Sequence, residues 1–211
     1  MRGGYAVCGI LFLALLSAVL YFNSAFIQRA DTGIDTLRRS LDELALQSAM
    51  ATSTQALTLS LSSSAFESGD TMPSEYTCDA DEVSPPLSVA GAPEGTRSFV
   101  LVMEDPDVPK IVKPDGVFLH WLVFNIPSEM QEVPEGGMVG VSGHNGMGKE
   151  GYIGPCPPPQ YEPSEHRYFF KLYALDSMLG LSAGATKEEV MQAMQGHILG
   201  ETELMGRYKR T

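Results

Sequence analysis

The chain has 211 residues, enough for one domain with a sizeable core plus an extra segment. Its 14 Lys and Arg stand against 26 Asp and Glu, a formal charge of −12 that repels nucleic acid and an anionic bilayer surface and argues against a nucleic-acid binder. The 21 Gly and 14 Pro are too many for a helical protein and punctuate residues 69–163 as turns do in an all-β domain.

Residues Tyr5 to Ile27 carry no charge, and as a helix a stretch of this length spans a hydrocarbon core of about 30 Å. Arg2 precedes the stretch and Arg29 follows it. A cleaved signal peptide is the rival reading, but Asn23-Ser24-Ala25 fits a small-x-small cleavage site poorly. The expectation is therefore a transmembrane anchor over 1–30 (or a signal peptide), with the remainder on the extracytoplasmic side, single-pass or secreted. Cys8 lies within this apolar stretch. Cys78 and Cys156 occupy turn-rich segments, and in an exported domain two such thiols can pair. Free thiols are the alternative, because sequence does not supply the short Cα separation that a bridge requires.

Ile34, Leu37, Leu41, Leu44 and Leu46 fall near helical spacing among charged residues, so 33–50 reads as an amphipathic helix within a stalk over 31–56. At Leu57 the period changes to the alternation of a half-buried strand, "LTLSLSS", which opens a domain over 57–211. Further strands are predicted over 97–104, 118–126 and 166–175, and Pro- and Gly-rich connections without helices imply antiparallel pairing. The economical architecture is mainly β: a two-sheet antiparallel sandwich with one or two peripheral helices, preceded by the transmembrane helix and helical stalk. Late in the chain, Thr186 and Glu189 form a capping box ahead of an apolar stripe of Val190, Met194 and Ile198, a helix that should pack on the sheet. "ELMGRYKR" reads as a short final strand.

"GHNGMGKEG" contains a dinucleotide-like glycine pattern, and Gly143 through Lys149 matches a phosphate-loop motif. Both motifs need a helix N-terminus to receive phosphate. Here Glu150 replaces the magnesium-binding hydroxyl and "YIGPCPPP" follows, so the glycines are read as turn formers.

Polar groups sit oddly beside apolar strands in four places. Asp105 and Asp107 end one strand, with Pro106 and Pro109 restricting the backbone around them. His120 lies inside an apolar run, where strict alternation gives it the face of Phe118 and Leu122. Gly154, Pro155 and Cys156 form a turn, and His166 and Tyr168 share one strand face. Converged, two imidazoles, a phenol and a carboxylate can hold an anion, with the Gly-flanked turn exposing backbone N–H groups.

"DPDVP", "HW" within a strand, "GYIGPCPP", "HRYFFKLYALD" and "GHILGETELMGRY", in this order, resemble the phosphatidylethanolamine-binding protein family, in its bacterial and archaeal Raf-kinase-inhibitor-like branch. "YTCDADEVSPPL" resembles that branch's first loop, with Ala80 and Val89 departing from its pattern. The resemblance spans about 57–210 and implies a two-sheet sandwich with a pocket for phosphate, acetate or a phosphoethanolamine-like head group. It implies pocket residues Asp105, Pro109, His120, Gly154, Pro155, His166 and Tyr168; the residue reading adds Asp107. The expected function is non-enzymatic binding of a small anion or phosphorylated head group, without cofactor, as an inhibitor or scaffold whose protein partner the sequence does not identify. The alternatives are a hydrolase with Cys156 as nucleophile and His166 or His120 as base, and a metal site of His120, His166 and Asp105.

Overall fold

The computed structural model describes residues 37–46 and 58–210, which belong to two compact units, 1–56 and 57–211. In the first unit, residues 37–46 form a helix (α1), and its leucines are exposed. The Tyr5–Ile27 stretch lies outside the described residues, and among those described no helix is long and apolar enough to cross a membrane.

The second unit is a sandwich of two antiparallel sheets. Strands β1 (Ser60–Ser62), β2 (Leu87–Ala90) and β5 (Glu132–Val133) form a three-stranded sheet in the order β1-β2-β5. The larger sheet has the order β6-β4-β3-β7-β8, with β3 (Ser98–Asp105) central, β4 (Phe118–Pro127) and β7 (Glu165–Leu175) beside it, and β6 (Val141–Ser142) and β8 (Ile198–Lys209) at its edges. Alternation sorts its side chains into two cores. Phe99, Leu101, Met103, Phe170, Leu172 and Leu204 face the small sheet, whose Leu61, Leu87 and Val133 complete the inner core. Val100, Val102, Leu122 and Phe124 face outward. That outer face is covered by helix α2 (Lys187–Ala193) through Val190 and by Met194, both fully buried.

The capping box of α2 forms: Glu189 N–H donates to Thr186 Oγ1, and Thr186 N–H donates to Glu189 Oε2 at 2.8 Å. The stripe expected to run on to Ile198 stops at the Met194 cap. Gly196 turns the chain with φ 81°, and Ile198, 44% exposed, begins β8 instead. The final strand is thus 12 residues long, not a short return.

Alternation fails at two places in β4: opposite Val100, where Phe99 pairs with Ile126 and Leu101 with Val123, and near the start of the strand. Met103 pairs with Trp121 and Glu104 with Leu119, so His120 is a surplus residue, a β-bulge. Leu119 and Leu122 contribute to the outer core, Trp121 to the inner core, and His120 packs edge-on to Tyr168 of the inner face at 5.2 Å between ring centroids. The expectation that His120 shares a face with Leu122 is therefore corrected: the bulge puts two consecutive side chains on the inner side.

Candidate functional site

The inner core ends where β3, β4 and β7 deliver Asp105, His120 and His166, and there a cavity of about 380 Å³ opens. Its size falls in the range of ligand pockets, roughly 300–1,000 Å³. Asp105, Pro109, His120, Gly154 and His166 line it together with Cys156, as do Phe118, Ile153, Pro157 and Pro158. Asp105, His120 and His166 are 3%, 4% and 1% exposed, so their polar atoms must be satisfied within the fold or by a bound molecule.

Asp105 is committed on both oxygens. Oδ2 lies 2.7 Å from His166 Nδ1, and Oδ1 accepts from Asp107 N–H at 2.8 Å. Burial alone would lower the His166 pKa, but the hydrogen bond and charge of Asp105 outweigh it and raise the pKa above the ordinary histidine value. With Nδ1 held by Asp105, Nε2 is left buried and without a partner. In the cationic ring it is a donor.

His120 is tuned the other way. Burial is the largest effect and lowers its pKa, against a smaller contribution from the Ile153 carbonyl, 2.7 Å from Nδ1. A carbonyl only accepts, so Nδ1 carries the proton and Nε2 of the neutral ring carries a lone pair. Phe118 packs edge-on against the ring at 4.8 Å between centroids. Ile153 also donates its N–H to the carbonyl of the bulged His120 at 3.0 Å, satisfying the surplus peptide.

Tyr168 stacks on His166, with centroids 6.5 Å apart. It is fully buried, its hydroxyl has no partner, and burial followed by the Asp105 charge pushes its pKa up, so it stays a neutral donor. It sits beneath the two histidines and does not line the cavity wall.

Three expectations need correction. Asp107 is no part of the lining: Arg167 takes it in a bidentate clamp, Nε to Oδ2 at 2.8 Å and Nη2 to Oδ1 at 2.7 Å. That hydrogen bond is the main reason its pKa is lowered. Pro155 is not among the lining residues, and its carbonyl accepts from Cys78 N–H at 3.1 Å. Gly154 does not offer its N–H to a ligand, because Glu82 Oε1 accepts it at 3.1 Å. A glycine is nonetheless required there, since a Cβ would stand 2.9 Å from both Thr77 Cα and the Tyr76 oxygen.

Cys78 and Cys156 are joined in a disulfide with Cα atoms 5.4 Å apart. Cys156 therefore carries no thiolate, which removes the nucleophile of the hydrolase reading. Among the described residues no three His, Cys, Asp or Glu side chains group as metal ligands. The glycine loop is likewise spent on itself. Asn145 Oδ1 accepts from Met147 and Lys149 N–H at 3.0 and 3.1 Å, and Gly146 N–H donates to the Leu119 carbonyl, so these amides do not cradle a phosphate.

Sequence reasoning missed Glu82, which fixes the rim from 72 residues away, and the apolar wall of Ile153, Pro157 and Pro158. Nothing local marks Glu82, but a Pro run after a Gly-Pro-Cys turn is a signal for a rigid wall.

A family model described as phosphatidylethanolamine-binding protein matches residues 62–209. A Methanothermobacter thermautotrophicus protein called UPF0098 protein is 45% identical over 159 residues, covering 72% of this chain and 99% of the relative. A crystal structure of a Chlamydia trachomatis protein, described as a homologue of the phosphatidylethanolamine-binding proteins, aligns with TM-score 0.70 and 42% identity over 73% of this chain and 99% of its own. Escherichia coli YbcL, 24% identical, shares the fold with TM-score 0.64 over 74% of this chain and 99% of its own.

Proposed function

Since the chain belongs to the phosphatidylethanolamine-binding protein family, we propose that its Asp105, His120 and His166 cavity binds a small anion or a phosphorylated head group without turning it over. The observation that carries this reading is the buried Nε2 of His166, which the fold holds through Asp105 and supplies with no partner. A buried donor left unmade costs about 1–3 kcal/mol, and a ligand oxygen would recover it. The neutral His120 adds an acceptor nearby, which favours an anion that still carries a proton, such as a phosphate monoester monoanion. Val108, Phe118, Ile153, Pro157 and Pro158 supply a largely apolar wall.

The reading includes an N-terminal anchor over Tyr5–Ile27 with the domain on the extracytoplasmic side, supported by the uncharged stretch and by the disulfide. Alkaline washing of membranes should leave the chain in the pellet; release to the supernatant would mean cleavage.

Binding is tested by titrating phosphate and O-phosphoethanolamine into the protein and following the imidazole signals by NMR. Both His120 and His166 should move with a common saturation curve. Unmoved imidazoles at millimolar ligand would overturn the proposal.

A further inference from the structure

A second cavity, of about 260 Å³, lies where the inner face of β4 meets the loops before β2 and after β5, and the anion site makes no use of it. Trp121, the only tryptophan of the chain, and Tyr152 line it with their ring planes at 85° and centroids 5.6 Å apart, so the two rings form a corner. Both are fixed: Trp121 is 3% exposed, and Tyr152 donates its hydroxyl to the Tyr76 carbonyl at 2.7 Å. Gly136, Gly137 and Met138 line the cavity from the second loop. Gly136 N–H donates to the Ser84 carbonyl at 3.0 Å, which ties the two loops together, so the cavity has its shape before a ligand arrives.

Glu82 supplies the charge. Its Oε1 accepts the Gly154 N–H at 3.1 Å, which holds the carboxylate in place, while Oε2 takes no hydrogen bond or ion pair among the described residues. No Lys, Arg or His lines the cavity to neutralise it. Glu82 also has φ 56°, a left-handed conformation that a residue with a side chain adopts at a cost, and such outliers cluster at active sites and ligand clamps.

We propose that this cavity binds a small quaternary ammonium ion, its charge met by Glu82 and its methyl groups by the Trp121 and Tyr152 rings. A carboxylate beside two perpendicular aromatic rings suits a weakly hydrated cation, which the π-systems attract and which gives up no hydrogen bond to water on entering. A primary ammonium would bring three N–H groups to satisfy. Most of the remaining lining cannot accept them, being the apolar side chains of Val83, Val123, Met138 and Val139. The cavity is smaller than the roughly 300–1,000 Å³ of drug-sized sites, as a small cation requires. The formal charge of −12 raises the concentration of cations around the chain as a whole. The site does not depend on what occupies the Asp105 cavity.

Trp121 reports on its own site, because no other indole contributes to the emission. The full chain, in a maltoside detergent that carries no ammonium group and with phosphate in excess, is titrated with choline and with its uncharged carbon isostere, dimethylbutanol. Trp121 fluorescence and the His120 and His166 NMR signals are followed together. Choline should change the emission along a saturating curve while both imidazoles stay still, and the alcohol should bind at least about tenfold more weakly. Glu82→Gln keeps an oxygen for the Gly154 N–H and removes only the charge, so it should weaken choline about tenfold without moving the thermal transition. An unresponsive Trp121 would overturn the proposal, as would equal affinity for choline and the alcohol, or a Glu82→Gln chain that binds choline as well as the parent. Imidazole signals that move with choline would overturn it too, since the cation would then occupy the first cavity.

Discussion

Replacing Asp105 by asparagine tests the site at its centre, because the swap preserves shape and changes only charge and hydrogen-bond sense. Asp105 accepts twice, from His166 Nδ1 at 2.7 Å and from Asp107 N–H at 2.8 Å, and is 3% exposed. Asparagine has one oxygen, so one of these donors must then face an NH₂ group with no water to relieve it. Losing a charge-assisted bond costs about 1.5–3 kcal/mol, and the misplaced donor brings the total to about 3 kcal/mol. In urea the unfolding midpoint should fall by about 1–2 M. The loss of the Asp105 charge also returns the His166 pKa toward or below its ordinary value, because burial is then the larger influence. At neutral pH Nε2 ceases to be a charged donor, and phosphate affinity should drop about 10- to 100-fold, the equivalent of about 1.5–3 kcal/mol. Urea titration, NMR titration of His166 and calorimetry with phosphate measure the three effects. An Asp105→Asn protein that folds with unchanged phosphate affinity and an unchanged His166 titration would refute the assignment of His166 as the anion donor.

The two histidines also set a pH dependence of stability with opposite signs. His166, raised above 6.5 in the fold, contributes fully below that value and loses its contribution as pH rises through the folded pKa; His120, lowered, costs stability as pH falls below 6.5. Together they predict maximal stability near pH 6.5 from this pair, and a chemical-denaturation series across pH reads it; a monotonic profile that His166→Ala and His120→Ala leave unchanged would exclude it. Opening the disulfide by Cys78→Ser with Cys156→Ser releases a loop of separation 78 and should cost about 4–5 kcal/mol by chain entropy, seen as a lower urea midpoint. Gly154→Ala drives a methyl against Thr77 and Tyr76 and should lower stability by about 1–3 kcal/mol and weaken phosphate binding through the shifted rim. Thr186→Ala removes the α2 cap, which does not line the cavity, and should cost about 1 kcal/mol while leaving phosphate affinity unchanged.

The sheet was legible where physics is local. β3 and β7 are long, buried and regular, so period and composition mark them, and His166 and Tyr168 were placed on one face because the β7 ladder runs unbroken past both. β2, β5 and β6, of 4, 2 and 2 residues, are too short for any period to show and exist only because neighbours pair with them. Polar commitments were the hidden part. Asp107 looked like a ligand group until Arg167, 60 residues on, claimed it, and Gly154 looked like an open donor until Glu82 did the same. Such pairings are decided by tertiary proximity, which leaves no trace in spacing. The five ordered motifs carried the family, and the family carried the cavity more surely than it carried each residue's part in it.

The surplus His120 is a residue that the pairing of β4 could do without. A strand one residue shorter between Leu119 and Trp121 would pair without this bulge, leaving only the one opposite Val100, and would keep both leucines and the tryptophan in their cores. It would also lack the His120 imidazole, leaving His166 alone at this end of the sandwich. The acceptor of the proposed anion site is thus a residue that the scaffold tolerates but does not need, and a deletion at this point would leave a sound β-sandwich with only the His166 half of that site.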